Sequence, residues 1–495
     1  MAHGASHLDI LAPRSKFYHG PFGRMFPELT PWEPGDTDLG KVANDLMVEL
    51  PGVLPGDIAG DPDKIKELEE TFSSKIPAGY TYFGQFIDHD ITFDPTSSLM
   101  RKNDPNGLLN FRTPRLDLDN LYGMGPDDQP YLYSSADKAK MALGAVDGHP
   151  ELPDLPRFDG RALIGDMRND ENSIVSQLQM AFLLAHNTLV DRARAAHPDA
   201  DTKTVFEIAR KTLRWLYQYI VWNDFIRRIA IDEVYKCALK LEKKCGGRQA
   251  WDCGLDDLFS WKNQPFMPVE FSVAAYRFGH SMVRNAYQTN QVRGVGVFAP
   301  IFDNSPGTTG NDLRGFRPME QNNCIQWDWF LQMESSLANF GFPQMARKID
   351  TKLSNALSFL FEGAAGDPLN VLALRNLMRG ISFDLPSGTS VARKLCIKPL
   401  ELDECEPDAL WYYILREAQG NGGNTLGRVG SIIVCAVFAG LLKGDPGSFF
   451  NLDPCWTPKD DPLLKDGEDN RDDPSWTLPA IIRLAGLKAN GIGLA

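Results

Sequence analysis

One of the eight histidines in this 495-residue chain, His89, stands between two aspartates in the stretch GYTYFGQFIDHDITFDP, Gly79 to Pro95. If all three side chains met, Asp88 and Asp90 would hold the imidazole protonated. Neighbouring side chains on a helix or strand point in different directions, so Asp88, His89 and Asp90 are read as residues with separate tasks. An imidazole near its ordinary pKa of ~6.5 can take up a proton and return it. Two more stretches place charge or histidine where an apolar helix has no need of it. GDMRNDENS (Gly165 to Ser173) sets Arg168 and Glu171 three apart, on one face if helical, and AYRFGHSM puts His280 beside Arg277 in an apolar segment. Taken singly, each has an ordinary structural reading: a turn or cap feature for His89, an ion pair at a helix start for Arg168 and Glu171, a hydrogen-bonded core histidine for His280.

These residues need rigid elements to carry them, and the apolar periodicity is helical. Glu171–His197 has Ile174, Leu178, Ala181 and Leu184 on one stripe, then Leu189. The segment from Thr202 opens with a capping-box spacing, Thr204 and Glu207, and continues through Leu213, Leu216, Tyr217, Ile220 and Trp222. Val269–Tyr287 reads as a helix around His280, and DTKLSNALSFLFEG and DALWYYILREAQG as helices closed by glycine. Alternating strand patterns are scarce, so the fold class is mainly α with little β. Residues 1–60 are rich in Pro and Gly and read as an extended arm over a single domain, 61–495, with no linker or repeat to divide it.

The composition, 43% hydrophobic and 23% charged, is that of a globular protein. A formal net charge of −14 argues against nucleic-acid partners, which require clustered Lys and Arg. The longest apolar run, Gly430–Leu442, is too short to cross a bilayer and reads as a buried helix. The first residues lack a basic start followed by an apolar core, so the expected location is cytoplasmic, or outside the cell by a signal-independent route. The eight cysteines form no CxxC and read as reduced thiols, with a local disulfide among Cys237, Cys245 and Cys253 left open.

The order GQxxDHD, GDxRxxE, RxGH and then NxxR, the last in RNLMRGISFDLPSG, resembles the peroxidase–cyclooxygenase superfamily. Within it the similarity is to the animal-type haem peroxidases, the branch that includes myeloperoxidase and lactoperoxidase, in a bacterial-type form. It runs from about Gly79 to Phe450, and a run of short motifs in one order is far more specific than any one of them. The resemblance implies a helical core with haem b between a distal and a proximal helix. It makes His280 the proximal iron ligand, Asn376 its hydrogen-bond partner, His89 the distal base, Arg168 the charge stabiliser and Gln85 the distal glutamine. Arg277 and Arg379 match residues near the haem propionates, and Asp88 and Glu171 match carboxylates ester-linked to haem methyls. The Met that forms a third link in myeloperoxidase is Asn172 here, so no sulfonium bond is expected.

The same resemblance gives RTPRLDLDNLYG (Arg112 to Gly123) the place of the family's calcium loop, with one calcium ion held by Thr113, Arg115 (by its carbonyl), Asp117, Asp119 and Asp90. Asp119 stands where the mammalian enzymes have Ser. Alternate positions of an extended loop would present those oxygens to one side. The implied activity is reduction of hydrogen peroxide through an oxoferryl intermediate, with oxidation of phenolic one-electron donors, halides or thiocyanate. The alternative in the same superfamily is a haem-dependent fatty-acid dioxygenase. Those enzymes carry a radical-forming Tyr three residues before the proximal His; here that position is Arg277, and Tyr276 lies four before.

Overall fold

The computed structural model describes residues 22–47, 71–93, 110–242, 250–252, 258–259, 265–302, 312–336, 341–358, 370–464 and 476–494. Helices dominate these residues, and the strands form only two-stranded pieces. The elements used below are α1 (Leu39–Leu46), α2 (Gly79–Ile91), α3 (Asp119–Tyr122), α4 (Ser173–Ala196), α5 (Thr202–Ile220), α6 (Leu372–Ser382), α7 (Leu410–Gly420) and α8 (Arg428–Gly444).

α2 carries the DHD triplet and is fixed by its aromatic face. Phe83 and Phe86 stack on Phe182 of α4, with centroids 6.4 and 4.5 Å apart, and both meet Tyr217 of α5 edge-on at 6.2 Å. Burying each phenylalanine contributes about 1.5–3 kcal/mol. Phe83, Phe86, Ile87 and Asp90 follow the i, i+3, i+4, i+7 spacing of one stripe, and Gln85, Asp88 and His89 share another. The helix therefore sends Asp90 one way and the other polar groups another. Gly79 opens α2 where a Cβ would lie 2.6 Å from the Leu331 side chain and 2.9 Å from the Phe330 carbonyl, so the close approach requires glycine.

α4 begins at Ser173, with Asn172 as its N-cap, and buries Ile174, Leu178, Ala181, Leu184 and Leu189 as the periodicity predicts. α5 is capped differently from the Thr204–Glu207 reading. Asp201, extended at the N-cap, accepts from Thr204 N at 2.7 Å, and Glu207 pairs instead with Arg210. Aspartate at the residue before the first turn outcompetes a threonine already inside it. α5 then widens into a π-helical turn, Val221–Ile226.

The proximal segment departs most from expectation. In place of one helix over Val269–Tyr287, a π turn (Glu270–Ala274) runs into a 3-10 segment (Ala275–Met282), and the chain is extended from Val283. Ala286–Tyr287 pairs with Ala299–Pro300 as a short antiparallel ladder. Hydrogen-bond misregistration of this kind recurs at functional sites. The 3-10 segment packs on α2, α7 and α8. DALWYYILREAQG forms α7, ending at Gly420, and the apolar run Gly430–Leu442 lies inside the buried helix α8. Over DTKLSNALSFLFEG the described part has only a 3-10 turn, Asn355–Ser358; the remainder lies outside the described residues.

Residues 22–47 of the expected arm lie against this core, and they are not wholly extended, since α1 is a helix capped by Asp38. Phe22–Gly23 pairs in parallel with Met267–Pro268. The buried Glu270 carboxylate accepts from Met25 N (2.9 Å) and Phe26 N (3.0 Å), and α1 packs on α6. Residues 1–21 and 48–60 lie outside the described residues. No helix among the described residues is long and apolar enough to cross a membrane. Cys237, Cys324, Cys396, Cys405, Cys435 and Cys455 are free thiols; Cys245 and Cys253 are not among the described residues.

Candidate haem and cation sites

His89 is buried on α2, and its Nδ1 lies 2.7 Å from Asn169 Oδ1. Asn169 Nδ2 donates in turn to Gln179 Oε1 of α4 at 2.8 Å. With its amide so directed, Asn169 accepts the proton of Nδ1, which leaves Nε2 as the bare nitrogen. Burial, and then the nearby positive charge of Arg168, push the His89 pKa down to about 3, so the ring is neutral at ordinary pH.

Arg168 lies in the 3-10 turn Met167–Asp170 and stays close to His89, but its guanidinium is anchored. It pairs with Asp166 (Nε 3.1 Å, Nη2 2.8 Å) and donates to the carbonyls of Thr92 (2.6 Å) and His89 (3.2 Å). Against burial, these contacts and the charges of Arg168 and Arg112 hold the Asp166 carboxyl below its ordinary range. Arg168 and Glu171 therefore diverge: Glu171 accepts from Gln85 Nε2, and Asn172 Nδ2 donates to Gln85 Oε1 at 3.2 Å. Asn172 Oδ1 caps α4 at Val175 N (3.0 Å). One side chain thus starts α4 and orients the Gln85 amide. Asp88 accepts from Thr92 Oγ1 at 2.9 Å; burial raises its pKa, opposed by Arg168 and Arg277.

On the proximal side, His280 Nδ1 lies 3.0 Å from Asn376 Nδ2 of α6, and Arg277 Nη1 reaches Asn376 Oδ1 at 3.4 Å. In that orientation the amide donates to Nδ1 and the ring proton sits on Nε2. Turning the amide gives Nδ1–H an acceptor and bares Nε2, at the cost only of the long 3.4 Å contact. Burial and the charges of Arg277 and Arg375 push the His280 pKa down to about 3. Arg277 itself is pushed down to about 10 by burial and by Arg379, against the pull of Asp88, with Arg375 adding to the fall. The positive charges of Arg277, Arg375 and Arg379 act on one another and on His280 here, which suits an anion, and haem propionates are such anions. A neutral imidazole ligand, a second neutral imidazole and this cationic cluster fit a haem.

Tyr276 belongs to the frame of the site. Its ring stacks on Phe271 at 4.8 Å, meets Phe225 and Phe278 edge-on, and its hydroxyl donates to Gly84 O at 3.1 Å. It ties the proximal segment to α2.

Asp90 points away from this region. Both its carboxylate oxygens are buried without a hydrogen-bond partner, and carboxylate oxygens of Asp90, Asp117 and Asp119 lie within 4.8 Å of one another. Burial and mutual repulsion drive the Asp90 pKa well above the carboxylate range. Thr113 Oγ1 lies 2.8 Å from both Asp117 oxygens, and Thr113 N donates to Asp119 Oδ2 at 3.2 Å. Arg115 N closes a turn on Thr113 O at 2.7 Å. The loop is not the simple extended strand that the spacing suggests. Leu118 is left-handed, with φ 60°, and α3 starts directly after it, which turns Asp117 and Asp119 to one place. The orphaned, buried Asp90 carboxylate, with two further carboxylates and a hydroxyl beside it, fits a hard divalent cation such as calcium.

Asn169, Asp166, Arg112 and Arg375 were not assigned roles from sequence. Asp166 and Asn169 flank Arg168 in GDMRND, and Arg112 and Arg375 adjoin Thr113 and Asn376. Adjacency to a motif was the available signal, but it does not say which neighbour folds inward.

Residues 98–298 match the family model described as animal haem peroxidase. That span holds the cation loop, Arg168, Glu171 and His280; His89 precedes it and Asn376 follows. Curated relatives include heme peroxidase 2 of Caenorhabditis elegans, 23% identical over 43% of this chain and 36% of its own length. Chorion peroxidase of Drosophila melanogaster is 27% identical over 44% of this chain and 24% of its own length. The chain thus matches about a third or less of these relatives' length. Among solved structures, Peroxidase A from Dictyostelium discoideum superposes with a TM-score of 0.62 at 16% identity, covering 95% of both chains. A fatty acid alpha-dioxygenase from Oryza sativa superposes with a TM-score of 0.52 at 15% identity, over 97% of this chain and 86% of that one. These likenesses establish the helical fold. Residues 98–298 of the chain are thus similar to the animal haem peroxidases, and a haem site is what that similarity supports.

Proposed function

We propose that this protein is a peroxidase: it reduces hydrogen peroxide and oxidises small donors, phenols by one electron and halides or thiocyanate by two. The observation that carries the reading is the His89–Asn169–Gln179 chain, which leaves a buried neutral imidazole with a bare Nε2. Haem, when bound, supplies the redox capacity and the iron site for peroxide. His89 Nε2 takes the proton from one peroxide oxygen and delivers it to the other, which leaves as water. Burial and, after it, Arg168 keep His89 deprotonated, and the Arg168 guanidinium offers positive charge to the developing anion. Gln85, with its amide held by Glu171 and Asn172, lines the distal side.

His280 holds the iron through Nε2, oriented by Asn376 at Nδ1. Arg277 and Arg379 hold the propionates. Asp88 and Glu171 are the carboxylates for ester links to the haem. Asp90, Asp117, Asp119, Thr113 and the Arg115 carbonyl hold one calcium ion, which fixes the end of α2 next to His89. The dioxygenase reading needs a tyrosine free to face substrate at the proximal helix, and Tyr276 has its hydroxyl committed to Gly84 O.

The test compares peroxide-dependent oxidation of a phenolic dye with oxygen uptake on linoleate by the haem-loaded protein. Dye oxidation that needs peroxide, without linoleate-dependent oxygen uptake, is expected. The reverse result would replace this reading with the dioxygenase.

A further inference from the structure

Arg112 joins the cation cluster to the distal arginine. Its Nε donates to Asp166 Oδ2 at 3.0 Å, its Nη2 reaches the same oxygen and, at 3.1 Å, Gly165 O, and its Nη1 lies 3.4 Å from Asp119 Oδ1. Asp166 accepts in turn from Arg168 at Nε, at Nη2 and at the backbone N. Asp119, Arg112, Asp166 and Arg168 thus alternate in sign along one line. The Asp166 side chain is 1% exposed and that of Arg112 12%, so water screens the line weakly. Both guanidinium groups lie over the Phe93 ring, with centroid distances of 5.7 and 4.7 Å. The backbones are coupled as well: a Cβ on Gly165 would lie 2.5 Å from Asn120 O of α3. The turn carrying Asp166 therefore rests directly on the helix that begins at Asp119.

We infer that Arg112 is a positioning residue through which a divalent cation at Asp90, Asp117 and Asp119 controls how tightly Arg168 is held. The inference rests on the peroxidase reading for the role of Arg168. Asp119 can turn its Oδ1 to Arg112 or to a cation. Without the cation, Arg112 is shared between Asp119 and Asp166, and Asp166 clamps Arg168 against the carbonyls of Thr92 and His89. A bound cation repels Arg112 from Asp119 and moves it onto Asp166. Arg112 and Arg168 Nη2 already share Asp166 Oδ2, so Arg168 loses part of its anchor and can turn Nη2 toward a ligand on the haem. Coupling of this kind is reciprocal: whatever frees Arg168 also changes cation affinity.

The experiment uses full-length protein, with Arg112→Gln and the charge-keeping Arg112→Lys beside the parent. Cation affinity is read from terbium luminescence after chelator treatment. Distal freedom is read from cyanide affinity of the haem-loaded protein, by Soret shift, with and without calcium. Removing the competing positive charge should tighten terbium binding about tenfold in Arg112→Gln, a coupling of ordinary size. The calcium-dependent change in cyanide affinity, at least about fivefold in the parent, should vanish there and be partly kept in Arg112→Lys. Terbium affinity unchanged or weakened in Arg112→Gln, or an undiminished calcium effect on cyanide, overturns the inference. A parent that takes up haem and reacts with peroxide but shows no calcium effect sinks the coupling and leaves the peroxidase reading standing. A parent that takes up no haem overturns both.

Discussion

His89 Nδ1 and Asn169 Oδ1 lie 2.7 Å apart, and this contact decides which nitrogen of the ring is the base. Because the imidazole is held near a pKa of about 3 by burial and by Arg168, it stays neutral well below neutrality. The rate of the peroxide reaction should therefore be flat from pH 7 down to about 4. Asn169→Asp places a negative charge on the ring and favours its protonated form, so the acid limb should move up toward pH 6. Stopped-flow rates against pH check both; an acid limb at pH 6.5 in the parent would contradict the geometry.

Asn172 has two tasks that substitution can separate. Asn172→Ala removes the cap on Val175 N and should cost about 1 kcal/mol in urea unfolding. Asn172→Asp keeps the cap but turns the donor facing Gln85 Oε1 into an acceptor. Its stability should stay close to that of the parent while bromide binding, followed at the Soret band, weakens several-fold. Equal effects of both variants on bromide and stability would deny Asn172 its hold on Gln85.

Cation removal should destabilise the folded protein by about 2.7 kcal/mol relative to a cation level a hundred times the dissociation constant. Asp90→Asn should abolish that increment. In chelator the same variant should be more stable than the parent, because the buried member of three crowded carboxylates is gone. Thermal midpoints of both proteins, with calcium and with chelator, form the test. A parent indifferent to chelator would remove the cation site.

His186 on α4 receives the Tyr122 hydroxyl at Nδ1 (2.9 Å) and gives Nε2–H to Ala139 O (2.8 Å). Burial pushes its pKa down to about 4. Between about pH 4 and 6.5 the unfolded chain holds a proton here that the folded chain does not, so stability rises with pH through that window. The contribution is complete above pH 6.5 and is lost toward pH 4, at about 1.4 kcal/mol per pH unit. In His186→Gln the slope of unfolding free energy between pH 4.5 and 6 should be shallower by about one proton. Parallel slopes would contradict a neutral buried His186.

The helical class and the divergence of Asp90 from Asp88 and His89 were legible in the sequence, because both follow from the 3.6-residue period of α2. The chemistry-bearing types were legible as well, since they sit in short motifs. What spacing could not give was the partner of each. Arg168 and Glu171, three apart, would share a face of a helix, yet one bonds the neighbouring Asp166 and the other the distant Gln85, because these partners outweigh a single ion pair. The π and 3-10 turns around His280 were equally hidden, since they keep the apolar composition of an α-helix and change only the hydrogen-bond register. The cation loop has the right oxygens, but they converge through the left-handed Leu118, a conformation that leucine does not announce.

The most direct test of the account is the Soret band of the haem-loaded protein after one equivalent of hydrogen peroxide, followed in milliseconds for the parent and for His89→Ala. The account predicts a rapid loss of Soret intensity in the parent, recovered on adding a phenol or bromide, and a reaction about 10²–10⁴-fold slower in the variant. Equal rates in the two proteins, or a parent Soret band that ignores peroxide, would contradict it.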